Sequence, residues 1–164
     1  LTVKKATTML TAVDLVKTYN GGVQGITLKS SDAEFVPEIG RNVNVTYVLN
    51  SDSSVTEPKQ AGVYSVTYEI TDPSYSGGGN ATLYINKANV TVKPKDIEKE
   101  YGKDPEYKLE KGSDLITDGE IDELLRTTEF TSEGAARTAG VGSYEITAAL
   151  GTAESKNLKL AQRV

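Results

Sequence analysis

Laid against itself, the chain matches at one register without a gap: LTVKKATTMLTAVDLVKTY, residues 1–19, lies on LYINKANVTVKPKDIEKEY, residues 83–101. Leu1 falls on Leu83, Lys5 on Lys87, Ala6 on Ala88, Asp14 on Asp96, Lys17 on Lys99 and Tyr19 on Tyr101. Val3 on Ile85 and Leu15 on Ile97 keep apolar character at two further positions. A second match follows in the same order. Ala61-Gly62-Val63 before YSVTYEI parallels Ala139-Gly140-Val141 before SYEITAAL, four residues closer to the first match than in the earlier copy. Two matches in one order, with the length change in a turn-rich stretch, mean a duplicated unit of about 80 residues. The 164 residues hold two such units, each long enough to fold alone. The expected domains are 1–87 and 88–164.

Within the units, apolar and polar residues alternate with period 2, the mark of a half-buried strand. The clearest case is Tyr64, Val66, Tyr68 and Ile70 against Ser65, Thr67 and Glu69. The same reading covers Val43, Val45, Tyr47 and Leu49, then Leu83 and Ile85, Val90 and Val92, Tyr107 and Leu109, and Tyr144, Ile146, Ala148 and Leu150. Turns are expected at Asn20-Gly21-Gly22, Asp72-Pro73, Gly77-Gly78-Gly79 and Gly102-Lys103-Asp104-Pro105. One segment breaks the pattern. Asp118 as cap, acidic residues in the following turn, and Ile121, Leu124 and Leu125 at i, i+3, i+4 predict a short helix in the second unit. The fold class is therefore mostly β: two tandem small β-sandwich, Ig-like domains, the second carrying one short helix. A β-grasp-like α+β arrangement is the alternative for the second.

Between the units there is no Gly/Ser tether. Ile85, Val90, Val92 and Pro94 all restrict the backbone, so a stiff joint is expected. Residues 1–6 align with 83–88, the strand closing the first unit, and are read as the tail of a preceding unit whose partner is missing. Leu158 and Leu160 are read as a penultimate strand, so that the second unit lacks its closing strand. In the alternative alignment 157–160 lie on 80–83 and that unit is nearly complete.

Chemistry is sparse. With no histidine and no cysteine, the commonest general base, the thiol nucleophile and the zinc–thiolate site are excluded, as is a disulfide framework. A secreted domain without disulfides is ordinary for a Gram-positive surface. The net charge of −5, with mixed signs along the chain, argues against nucleic acid as a partner, and no apolar run approaches a membrane span. The acidic patch Asp114, Asp118, Glu120, Asp122 and Glu123 fails as a calcium loop, because aligning Gly119 to the loop glycine puts Ile116 and Leu125 at ligand positions. Capping and dipole compensation account for it. The three glycines at 77–79 precede a strand without a following Lys-Ser/Thr, so they are no phosphate loop. The nine tyrosines could stack on sugar rings, but most sit where packing would use them, and tryptophan is absent. No catalytic, cofactor-binding or metal-ligating residue is named, and no cofactor is expected.

Several short motifs carry a family resemblance over nearly the whole chain. Tyr19-Asn20-Gly21, NVTY at 44–47, AGVY at 61–64 and INKA at 85–88 make the first unit similar to the MBG-type repeats of bacterial surface proteins, in their Tyr-Asp/Asn-Gly form. Glu100-Tyr101-Gly102 with Asp104-Pro105, followed by LLRTTEFTSEGAARTAGVGSYEIT, makes the second resemble the Tyr-Gly-x form. It departs from that pattern at 135–143, which is longer, and at Asn157-Leu158, where the family has Asn-Tyr. The resemblance implies a non-catalytic, extracellular, cell-surface or cell-wall attached module of an adhesin-like protein. It would act as a stiff spacer whose partners are neighbouring repeats. The alternative is an adhesive module that binds host or cell-wall glycan or protein.

Overall fold

The computed structural model describes residues 1–151 and 155–162. The chain is mostly β with one α-helix among the described residues, and it divides into two compact units between Lys87 and Ala88. No helix among the described residues is long and apolar enough to cross a membrane.

The first unit contains β1 (Ala6–Thr7), β2 (Leu10–Val13), β3 (Val16–Thr18), β4 (Thr27–Ser30), β5 (Val43–Leu49), β6 (Gly62–Ile70), β7 (Tyr75–Ser76) and β8 (Gly78–Asn86). Its main sheet has the order β3-β8-β6-β5, with β3 parallel to β8 and the remaining pairs antiparallel. The antiparallel partners β2 and β4 form a separate pair, and β1 runs parallel to β7. Alternation decides which side chains go inward. Along β6, Tyr64, Val66, Tyr68 and Ile70 are buried while the residues between them face water. Leu10 and Leu28 from β2 and β4 join Val43, Leu49, Tyr64, Val66, Leu83 and Ile85 of the main sheet in one core. Each such side chain stabilises the unit by about 1.5–3 kcal/mol relative to exposure.

Two expectations need correction here. The glycines at 77–79 do not form the turn. It falls at Asp72–Ser74, where the Asp72 carboxylate accepts from the Ser74 amide at 2.7 Å, and the glycines lead into β8. Gly79 lies opposite Tyr68 of β6, and a Cβ there would sit 2.8 Å from the tyrosine hydroxyl. A strand glycine in this position marks a close approach of another group. Residues 1–6 are also not wholly partnerless. The Ala6 amide donates to the Ser74 carbonyl at 2.9 Å, and the Lys5 ammonium to the Asp72 carbonyl at 3.2 Å.

In the second unit β9 (Ala88–Pro94) is central, with β10 (Leu109–Lys111) antiparallel on one side and β13 (Leu158–Gln162) parallel on the other. The helix α1 (Asp118–Thr127) follows β10, and β11 (Glu129–Thr131) pairs antiparallel with β12 (Thr147–Ala149). Two of these pairings repeat those of the first unit. Leu109 opposes Pro94 as Leu28 opposes Ala12, and both leucines are buried. Leu158 opposes Ala88 as Tyr75 opposes Ala6, both in parallel pairs. In that register β13 resembles β7.

The helix is capped by Thr117, one residue before the Asp118 read from sequence. The Thr117 hydroxyl accepts from the Glu120 amide and the Glu120 carboxylate accepts from the Thr117 amide, a reciprocal capping box. Ile121 and Leu124 are buried, Leu125 only partly. Burial pushes the Glu120 carboxyl up, but hydrogen bonds from Ser155 and Thr117 outweigh it and hold it below its usual value of 4.5. A lowered folded value adds stability that is complete above about pH 4.5 and is lost as pH falls through the lowered value. The second unit is expected to weaken on acidification, and Glu120→Gln to flatten that dependence. Urea unfolding followed at α1 amides at about pH 3 and pH 6 measures it, and parallel slopes for the two proteins would refute the assignment.

Candidate functional site

The period-2 reading of 144–150 predicts a long strand, yet only Thr147–Ala149 pairs, against Glu129–Thr131. Tyr107 likewise lies outside β10. Among the described residues, the amides of 97–101 and 141–145 make no backbone hydrogen bond. Alternation supplies an apolar face, but strand geometry needs a ladder.

These two segments form the walls of a cleft of about 590 Å³, open to solvent. One wall carries Ile97, Lys99 and Tyr101, and the other Gly142, Ser143 and Tyr144. Lys99 fixes the first wall. Its ammonium donates to the carbonyls of Ala136 at 2.6 Å, Lys103 at 3.2 Å and Ala135 at 3.4 Å. Arg137 donates from Nε to the Gly102 carbonyl at 3.0 Å, and its own carbonyl accepts from the Gly102 amide at 2.9 Å. The loop at 135–143 is thereby tied down beside Tyr101. Tyr107, also in the lining, stacks on Phe130 with ring centroids 4.6 Å apart, and its buried hydroxyl has no hydrogen-bond partner among the described residues.

Tyr144 anchors the second wall by donating from its hydroxyl to the Gly140 carbonyl, four residues back, at 2.9 Å. Tyr64 makes the same bond to Gln60 at 3.0 Å. Such a tyrosine corner closes a loop onto the start of a strand. The shared bond makes Tyr144 the counterpart of Tyr64, so Gly142 and not Gly140 takes the place of Gly62. The sequence match through Ala-Gly-Val is thus displaced by two residues from the structural one. The tyrosines differ in cover: Tyr64 is 0% exposed and Tyr144 41%.

The acidic patch has no part in this cleft. Asp118 pairs with Lys111, whose hydrogen bond and charge lower its carboxyl, and Glu120 closes the capping box. Among the described residues no three acidic side chains gather where they could hold a metal ion. Elsewhere, Tyr75 packs against Phe35 with ring centroids 4.8 Å apart and Tyr84 stays exposed on the outer face of β8. The cleft itself escaped the sequence reading. Its one sequence signal is the pairing of Tyr19 with Tyr101, which says nothing of what covers them.

Neither a curated protein nor a solved structure matches the chain. A family model described as the MBG domain matches residues 6–89, from β1 through β8 to the first residues of β9. That stretch is more than half of the 164 residues and coincides with the strand plan of the first unit. The chain belongs to the MBG domain family.

Proposed function

We propose that this chain is a non-catalytic, extracellular repeat module of a bacterial cell-surface protein, acting as a stiff spacer between domains on either side. The observation that carries the reading is the junction. A single residue, Lys87, separates β8 from β9, and strand pairings of the first unit recur in the second. One residue between two hydrogen-bonded strands leaves few free backbone angles, the property a spacer needs. MBG membership supports a repeat module of surface proteins. The packing of β2 and β4 against the main sheet supports a small sandwich as the unit.

A glycan and extracellular-matrix array, probed with the whole chain, tests the function. A spacer gives no saturable signal. Saturable binding to one glycan or matrix protein would replace the spacer by an adhesive module.

A further inference from the structure

We propose that the outer edge of the first unit's main sheet is closed against strand addition by two guard loops, residues 36–42 and 50–55, and that the strand they hold off is β5 of a second copy of this chain. Edge and guards all lie within the stretch that the family model matches.

β5 has β6 on one side and, among the described residues, no strand on the other. The opposite edge of that sheet, β3, is three residues long and offers little to pair with, whereas β5 has seven. Its sequence, VNVTYVL, contains no charge, proline or glycine, the composition of a segment prone to pair with itself. Hydrogen bonds just beyond its ends show which backbone groups face outward. The Thr71 amide donates to the Asn42 carbonyl and the Asn50 amide to the Val63 carbonyl, each at 2.9 Å, so the even-numbered residues bond toward β6. Val43, Val45, Tyr47 and Leu49 therefore aim their amides and carbonyls away from it.

At both ends of the strand those outward groups are taken. The Val43 amide donates to the Glu38 carbonyl at 3.3 Å, and its carbonyl accepts from the Gly40 amide at 2.8 Å. The Leu49 amide donates to the Val55 carbonyl at 3.0 Å, and its carbonyl accepts from the Asp52 amide at 3.1 Å. Each loop is itself pinned. The Asn42 side chain accepts from the Glu38 amide at 2.7 Å and donates to the Val36 carbonyl at 2.9 Å. The Asp52 carboxylate accepts from the amide and the hydroxyl of Ser54, at 3.1 and 2.6 Å. Between the loops, Val45 and Tyr47 keep outward groups with no backbone partner among the described residues. Covering an edge in this way is how native sheets avoid pairing with one another.

The window left between the guards is self-complementary. Antiparallel pairing about a two-fold axis at Thr46 sets Val45 of either copy against Tyr47 of the other. Each such pair exchanges both backbone hydrogen bonds and places a β-branched residue beside an aromatic one. The same register brings Val43 against Leu49 of the second copy, where the guards already stand. Lifting the guards would open the full strand to a closed, isologous dimer.

Two experiments test it. Amide hydrogen exchange of the whole chain reads the guards directly: Val43 and Leu49 should exchange at least about tenfold more slowly than Val45 and Tyr47. Equal rates along the edge overturn the proposal. Sedimentation velocity over a range of concentrations then compares the whole chain with Asn42→Ala/Asp52→Ala, alone and combined with Thr46→Lys. Loss of the guards should tighten self-association at least about tenfold. Thr46→Lys, at an exposed position, sets like charges across the axis and should return association to the level of the parent. Either single guard variant serves in the same way where the double variant loses the amide signals of β6 and β8. A folded guard variant that associates no more tightly than the parent, or association indifferent to Thr46→Lys, refutes the proposal.

Discussion

Replacing Tyr64 by alanine is expected to destabilise the first unit by about 3–5 kcal/mol, the cost of emptying a large aromatic site in a packed core. Its ring is fully buried near the start of β6, where it lies between Leu49 of β5 and Leu83 of β8. Its hydroxyl donates to the Gln60 carbonyl at 3.0 Å and accepts from the Gln60 amide at 3.2 Å. Burial raises its pKa against the lowering effect of those backbone bonds, so the phenol stays neutral through the physiological range. Tyr64→Phe isolates the corner, and should cost about 1–2 kcal/mol for the unpaired Gln60 groups. The counterpart Tyr144→Ala should cost the second unit less than about 1 kcal/mol, because its ring is partly solvated. Denaturant unfolding with amide probes in each unit measures all three. Equal losses at Tyr64 and Tyr144 would show that the two corners are equally covered, against the account of the cleft.

The second large effect is expected at Gly77. Its φ of +157° lies where side chains are disfavoured, and a Cβ added there would stand 2.2 Å from the Thr8 carbonyl oxygen. That oxygen belongs to the backbone beside β1, where the Thr8 amide is bonded to the Ser76 carbonyl at 3.0 Å. On the other side, the Gly77 carbonyl accepts from the Ile70 amide at 2.9 Å. Relief requires either β1 to leave β7 or β8 to shift from the end of β6. Gly77→Ala should therefore cost about 2–4 kcal/mol, combining backbone strain with overpacking. Gly119→Ala is the contrast. Nothing lies within 4 Å of a Cβ there, and the position is within α1, so the change should be neutral or stabilising by up to about 1 kcal/mol. Thermal unfolding of both variants decides it, and a Gly77→Ala protein as stable as the parent would refute the close packing of β1 against β7.

These effects also mark how far the sequence could be read. β6 was legible because seven of its residues alternate without interruption, and because an antiparallel neighbour on each side lets the pattern express itself as burial. The same alternation in 144–150 gave only three paired residues, since a pattern records which face could be buried and not whether a ladder is present. The glycines at 77–79 were read as a turn because glycine serves both turns and close approaches. Only the position of Tyr68 and Thr8 distinguishes the two uses. The helix was legible from Ile121 and Leu124, while its cap was displaced by one residue because Thr117 and Asp118 are both good caps and the choice rests on the reciprocal bond to Glu120. The cleft was illegible for a related reason. Tyr101 carries the same local signals as Tyr19, and whether a ring is covered depends on contacts distant in sequence.

The spacer reading rests on the junction at Lys87, and backbone nitrogen-15 relaxation of the whole chain tests it most directly. Its prediction is that both units tumble with one correlation time and that the Lys87 amide has an order parameter of about 0.85, the value of rigid backbone in β8 and β9. Separate correlation times, with Lys87 below about 0.6, would contradict it.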